Sequence, residues 1–543
     1  MNKRLSAGLA EGALLAAVAF GPLAFGAVEA WSRAILETLI FLTFMLRPEP
    51  RLSLIHKTFF IGLMLVVVIG VIQVLHPIAV DGPRNFFPFS ACAPETRRAL
   101  LLWASYAVLV WTAPGILARP GACQRLAWTL LLVGFAVSVI GLVQLSQGNL
   151  MVYGFRPVRM GRSPFGPYFN RAHAASLLAM ASAAGGGLLS AQTAKFRRER
   201  PRSVSERSDA LAKMLVTGFL LVMSMMGLLA TRNRGALISI FAAAIGMAWL
   251  SSARAALLRR QKLRLAIAGV VLGAAFLAPK ILGLLHGAKG SVPMRLVMYR
   301  DGLKAVWDAP VWGTGLGSVQ SLLYAYTDSG FGYLIDHVHN DWLELLIQAG
   351  VIGVAAYTIG LWSFLMRLSR WWTACPSLEE RCLAGGALIA VWSFITHGFS
   401  DFSFQIPANA LIFILLLCWL DGQMSGRVQP PRSTPIEVEP ARTSAFVRLP
   451  AIATALCLIA LTIPPAMAER YFNREDYRAA FRWEQGPKEL YGLAWSEYQS
   501  GDFRQAIASA ERGRRMDSWN PNFQSLSTWA QIRLEKSKRD SAE

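Results

Sequence analysis

Apolar runs long enough to cross a bilayer recur along this chain up to residue 467, and polar residues gather in the gaps between them. A helix needs about 20 apolar residues to span the hydrocarbon core. Thirteen stretches meet or approach that length: 9–28, 30–46, 58–76, 98–118, 125–146, 171–191, 211–230, 235–250, 263–284, 344–366, 382–399, 404–421 and 447–467. Those at 30–46, 235–250 and 404–421 are short. The pattern predicts an all-α, polytopic membrane protein with about 12–13 transmembrane helices. The start, Met1-Asn2-Lys3-Arg4 followed by apolar residues, has the form of a signal peptide. Because apolar spans continue throughout, it reads instead as the first transmembrane helix.

Alternating the spans from a cytoplasmic start puts the densest short basic loops inside, as the positive-inside rule requires. These are Arg47/Arg51/Lys57, the run Lys195 to Arg200, the cluster Arg254/Arg259/Arg260/Lys262/Arg264, and Arg367/Arg370. The same alternation sends 77–97, 147–170, the turn at 231–235 and the long loop 285–343 outside. The chain then divides into a membrane domain over 1–425, a cytoplasmic linker over 426–446 carrying Gln429-Pro430-Pro431, a last span at 447–467, and an exported tail over 468–543.

Composition agrees with a membrane protein: 54% of residues are apolar and 16% charged, and mean hydropathy is +0.40. Soluble domains carry nearer a quarter charged residues. A net charge of +21 would suggest nucleic acid in a soluble chain. Here most of the basic residues lie in loops between spans, so topology and anionic lipid or diphosphate ligands account for them better, and no nucleic-acid partner is expected. The six cysteines form no CxxC pair and no metal spacing, and no disulfide framework is expected.

Outside loops should be poor in arginine, yet these keep Arg156, Arg159, Arg162, Arg171, Arg232, Arg234, Arg295 and Arg300. Loop length and salt bridges would explain them; arginine forks matched to the oxygens of an anionic substrate explain them better. Within 285–343, Pro293 to Asp308 predicts a helix stopped by Ala309-Pro310, with an apolar stripe at Leu296, Tyr299, Leu303 and Val306. That stripe would lie on the membrane surface or under the loop. Gly313-Thr314-Gly315-Leu316-Gly317 is either a tight turn or a ligand loop.

His337 and His339 end the loop, and an apolar helix with two glycines follows at once. An imidazole at a membrane surface suits abstraction of a proton from a sugar hydroxyl, although a polar cap at the interface is the plainer role. The flanking Asp336 and Asp341 raise a metal reading, which the divergence of positions i and i+2 on a helix opposes. Asp401 returns to the outer face at the next turn, where it would orient a histidine, bind sugar hydroxyls or simply be a satisfied interfacial carboxylate.

These residues resemble the O-antigen ligase/polymerase (Wzy-C) superfamily of membrane glycosyltransferases. The family pattern of His, then Asn/Ser/Gln, nine residues and Gly-x-x-Gly is matched by His339, Asn340, Gly350 and Gly353 without a gap. Arg232-Asn233-Arg234-Gly235-Ala236 is similar to the family's Ser/Thr-x-x-Arg-Gly turn, and Arg295 matches the arginine that opens the outer-loop helix. Pro164 to His173, which includes Arg171, is similar to a further outer-loop segment, with Ala172 in place of one asparagine. The resemblance covers roughly residues 10–425, with the ligase-like region at about 211–421.

The resemblance implies a GT-C-like fold and transfer of a glycan from an undecaprenyl-diphosphate carrier at the periplasmic face of the bacterial inner membrane. The implied reaction is inverting and needs neither metal nor cofactor. His339 would be the base on the acceptor hydroxyl. Arg234 and Arg295, with Arg300 beside them, would hold the diphosphate, and Asn340, Asp401 and Arg171 would support the site. The acceptor stays open among a glycan, lipid A-core and a protein, so ligase, polymerase and protein O-glycosyltransferase all remain. A lipid or polysaccharide transporter would carry charges mid-span and an internal repeat. A scaffold built on the tail would leave the outer arginines unexplained.

In the tail, Leu493-Ala494, Tyr498, Gly501-Asp502-Phe503, Ala506, Gly513 and Asp517 resemble one tetratricopeptide (TPR-like) repeat. A plain helical hairpin is the alternative. One repeat cannot bury its apolar face alone, so it should pack on the outer loop or on a protein partner.

Overall fold

A computed structural model describes all residues except 1–2, 48–56, 77–86, 149, 159–162, 200–202, 253–290, 327–335, 376, 426–444, 519 and 541–543. Among the described residues the protein is all-helical, with two isolated bridges, Val152 to Arg156 and Phe165 to Tyr168, in place of any strand. The membrane domain contains α1 (Lys3–Leu23), α2 (Ala30–Leu46), α3 (Lys57–Leu75), α4 (Ala93–Leu117), α5 (Ala122–Ser146), α6 (Arg171–Glu199), α7 (Val204–Ala230) and α8 (Arg234–Ser252). The outer loop supplies α9 (Ser291–Asp308) and α10 (Val319–Tyr326). Next come α11 (Asp341–Ala374), α12 (Leu378–His397), α13 (Pro407–Ser425) and α14 (Ala445–Phe472). The tail forms α15 (Tyr477–Trp483), α16 (Pro487–Gln499), α17 (Phe503–Met516) and α18 (Pro521–Asp540).

Nine of these helices (α1, α3, α4, α5, α6, α7, α11, α13 and α14) are long and apolar enough to cross a membrane. This is a multi-pass membrane protein. The remaining predicted spans fall short for visible reasons. The α2 helix has 17 residues and carries the Arg33–Glu37 pair. The apolar part of α8 is short, and α12 opens on Glu379-Glu380-Arg381 and closes on His397. The predicted span at 263–284 and most of the linker at 426–446 lie outside the described residues.

Small residues let these helices approach closely, as they do where lipid offers no hydrophobic drive for association. The α6 and α12 helices cross at Gly187 and Gly386, where a Cβ on Gly187 would come within 2.8 Å of the Gly386 Cα. Gly141 of α5 leaves room for the buried Phe165 ring.

Cross-links gather the helix ends onto two opposite faces. On one, Arg119 and Arg125 bind Glu11, Arg198 binds Glu379, and Arg367 binds Asp421. On the other, Arg156 binds Glu29, Tyr153 donates to the Leu23 carbonyl, and Arg295 donates to the Ser400 carbonyl.

The tail has its own small core of Leu490, Ala494, Ala510, Phe523 and Leu526. It docks on the same face through Arg98 to Glu484 (2.6 Å) and Glu489 (3.2 Å), and through Ser321 of the outer loop to Asp517 (3.2 Å).

The α9 helix forms where expected, but its buried stripe is rotated. Met298, Asp301, Gly302 and Ala305 face inward, packing with Val319, Leu322, Val338 and Ile347. Leu296 and Leu303 are exposed, as is Trp307. Hydrophobicity alone favoured the larger leucines, whereas the close approach of α11 selects smaller residues: a Cβ on Gly302 would sit 3.0 Å from Ile347.

Candidate active site

The site is built where α11 breaks. Gly350, inside α11, has φ +65, and a side chain there would collide with the Val311 carbonyl. Into this break the loop 310–317 inserts its backbone. Thr314 N–H donates to Ile347 O (2.8 Å), Gly315 N–H to Gln348 O (3.2 Å) and Val351 N–H to Pro310 O (2.9 Å). Gly313 (φ +75), Gly315 (φ +115) and Gly317 (φ +72) supply left-handed turns that L side chains rarely adopt. The glycine run is thus a structural plug for a helix break. It satisfies carbonyls that the break would otherwise orphan.

Above the break, Asn340 caps α11, accepting from Trp342 and Leu343 N–H at 3.1 Å each. Asp341 N–H donates to the Gly398 and Asp401 carbonyls (2.8 and 3.1 Å), and the buried Asp341 carboxylate receives Phe404 N–H. The His339 loop and the Gly398–Gln405 turn therefore hold each other in place. His339 itself sits at φ +53, a left-handed conformation uncommon for a residue other than glycine. Its carbonyl accepts from the Tyr299 hydroxyl at 3.1 Å.

Three imidazoles converge on the buried Asp401. His339 Nδ1 lies 3.6 Å and His173 Nε2 3.9 Å from Oδ1, and His397 Nε2 lies 3.9 Å from Oδ2. His397 is anchored from behind, its Nδ1 2.6 Å from the Ser176 hydroxyl, which is itself 2.7 Å from that of Ser403. Burial pushes the Asp401 carboxyl up, but the approach of His339 and the charges of His173 and His397 outweigh it and hold the group below the ordinary carboxylate range. Asp401 stands next to a histidine that is one-quarter exposed. Phe402 stands among the rings, stacked on His337 (4.1 Å) and edge-on to His173 and His339.

Arg295 reaches this turn by donating to the Ser400 carbonyl at 2.8 Å. Arg234 begins α8 and is exposed. Its neighbour Gly235 lies against His397 and Ser400, with room for no more than hydrogen, because a Cβ would sit 2.9 Å from the Ser400 hydroxyl oxygen. Arg171 is exposed at the start of α6, two residues before His173. Arg300 is set apart: it pairs with Asp301 at 3.0 Å and lines a surface groove with Leu303, Lys304 and Trp307. Arg156 has a plain structural role in its pair with Glu29, and Arg159 and Arg162 lie outside the described residues.

His173, His397, Asp341 and Glu344 were not singled out from the sequence as site residues. His397 and Asp401 do stand four apart, the spacing that would have signalled their pairing. Among the described residues, no group of three or more His, Cys, Asp and Glu side chains is arranged to hold a metal ion.

Residues 219–358, which include Arg234, Arg295 and His339, match the model of the O-antigen ligase family, Wzy_C. Over that stretch the chain is similar to the O-antigen ligase family. No curated protein matches it. The matched stretch begins within α7 and ends within α11, so the family region supplies His339 and both arginines, while His173 and His397 come from helices outside it and Asp401 from the turn after α12.

Proposed function

We propose that this protein transfers a glycan from an undecaprenyl-diphosphate carrier to an acceptor at the periplasmic face of the bacterial inner membrane, as an inverting, metal-independent glycosyltransferase. The observation that carries the reading is that His339 and Arg295, both within the stretch that matches the O-antigen ligase family, meet the turn that carries Asp401. His339 takes the proton from the acceptor hydroxyl as its oxygen bonds to the anomeric carbon. The bond from that carbon to the diphosphate oxygen breaks, and the electron pair leaves with the undecaprenyl diphosphate. Arg295 and Arg234 stabilise that charge, with Arg300 as a more distant cation. Asp401, 3.6 Å from Nδ1, orients His339. Asn340 fixes the loop that carries it, and Arg171 flanks the mouth.

An apolar groove of about 850 Å³ is lined by Leu237, Phe241 and Met247 of α8, the helix that Arg234 begins, with Met225 and Gly386. It is suited to the lipid of the carrier. The acceptor belongs to the class of glycan, lipid A-core or protein, and the tail is the surface for any protein partner. The test is transfer in vitro by the purified chain, supplied with a polyprenyl-diphosphate-linked glycan and each acceptor class in turn. The reading expects one acceptor to be glycosylated, with release of polyprenyl diphosphate. Release of no polyprenyl diphosphate with any acceptor would overturn it.

A further inference from the structure

On the far side of Phe402 from His339 lies a cavity of about 660 Å³, enclosed by α4, α11, the 165–173 segment and the docked end of α14. Glu344 lines it from within α11 and is fully buried. Its Oε1 lies 2.7 Å from His337 Nδ1 and accepts from Gln348 Nε2 at 3.2 Å. Its Oε2 is buried with no hydrogen-bond partner. A buried carboxylate oxygen left in that state is destabilising, so an oxygen kept this way at a cavity wall is an acceptor in want of a donor.

The other walls say which donor. Trp103, Tyr168, Phe169 and Phe402 line it with aromatic rings, surface of a kind that suits the C–H faces of a sugar ring. The arginines at the cavity are already matched to carboxylates: Arg33 to Glu37 (3.0 Å), Arg98 to Glu95 (3.0 Å) and Glu484 (2.6 Å), and Arg156 to Glu29 (2.6 Å). These arginines and Lys488, which lies over the Phe472 ring, share the cavity wall with the carboxylates Glu29, Glu95, Asp336, Glu344 and Glu469, so the cavity disfavours an anion.

We propose that this cavity is a subsite for a neutral saccharide, in which the Glu344 carboxylate, held by His337 and Gln348, accepts hydrogen bonds from sugar hydroxyls or amides. It deepens the glycan-transfer reading and rests on it for its biological meaning: the cavity meets the Asp401 cluster through His173, which borders both.

Saturation-transfer NMR on the full-length purified protein tests it, with chitobiose and maltose as neutral probes, digalacturonate as an acidic one and inorganic pyrophosphate as a control. The neutral sugars should bind and digalacturonate should not. Glu344→Gln should weaken neutral-sugar binding about tenfold or more, as expected for loss of a charged hydrogen-bond acceptor, and pyrophosphate binding should not change. Gln405→Ala, at a half-buried wall residue, is the second variant should Glu344→Gln fail to fold, and it should weaken the same probes. Equal binding of digalacturonate, no neutral-sugar signal in the wild type, or binding unchanged in the folded variants would each overturn the proposal. Transfer measured on the same preparations separates the two readings. Transfer without Glu344-dependent binding sinks the subsite alone; Glu344-dependent binding without transfer sinks the transferase reading alone.

Discussion

His339 Nδ1 lies 3.6 Å from Oδ1 of Asp401, although 62 positions separate them in the chain and neither lies on the other's helix. The separation is longer than a hydrogen bond but short enough for the carboxylate to orient the ring. Asp401→Asn removes the carboxylate's charge while keeping the side chain's shape. Transfer by this variant should fall by about 10²-fold, within the range that general base assistance is worth, while its thermal unfolding midpoint stays near that of the wild type. Near-normal transfer, or a loss matched by a fall in the midpoint, would assign Asp401 to packing.

Arg295→Lys and Arg234→Lys should restore little of the activity that the alanine variants lose. A lysine is a point charge and cannot reproduce a fork that donates in two directions, and Arg295 already spends one direction on the Ser400 carbonyl. Initial rates of polyprenyl-diphosphate release, measured for both substitutions at both sites, decide this. Lysine variants near wild-type rates would make the arginines merely attractive.

Gly350→Ala should destabilise the fold and not just slow it. The position needs a left-handed backbone and leaves no room beside the Val311 carbonyl. A forced left-handed residue costs roughly 1–3 kcal/mol before any clash. Thermal unfolding in detergent should therefore show a clear drop in midpoint, and Gly353→Ala a smaller one, since only the helix's own Ala349 stands in its way. Equal midpoints for Gly350→Ala and wild type would remove the plug account of loop 310–317.

The apolar runs were readable because a bilayer imposes them, and every described span became a helix. Their ends were harder. The α11 helix was expected over 344–366 yet runs from Asp341 to Ala374, because Asp341 is taken up by Phe404 N–H and Arg367 by Asp421. Charged residues with such partners extend helices that charge alone would stop. His339, Asp401 and Arg295 were legible as motif or turn residues and do meet. His173 and His397 were not, because a histidine buried in an apolar helix leaves no periodic trace. Glu344 looked like part of a helix start, and only its cavity shows otherwise.

Docking of the tail should weaken as pH rises. Burial raises the Asp517 carboxyl from 3.8 to about 6, against the hydrogen bond from Ser321 and that of Asn520, which lower it. The docked form thus holds the proton more tightly than a free tail would. Docking is strongest below about 4, falls between about 4 and 6, and is level above that. Asp517→Asn should tighten docking at neutral pH and flatten the profile. Limited proteolysis of the tail across pH 4–8 reads this directly, and a wild type whose protection rises with pH would reverse the sign.

Transfer by purified His339→Ala, at matched protein amounts, tests the central claim most directly. The variant should lose at least about 10²-fold in turnover while keeping its yield and its binding of the diphosphate donor, because Asn340 and Asp341 hold the loop independently of the ring. His337→Ala should retain much more turnover and lose chiefly saccharide affinity. Near-normal turnover by His339→Ala would contradict the mechanism and leave only the membrane architecture standing.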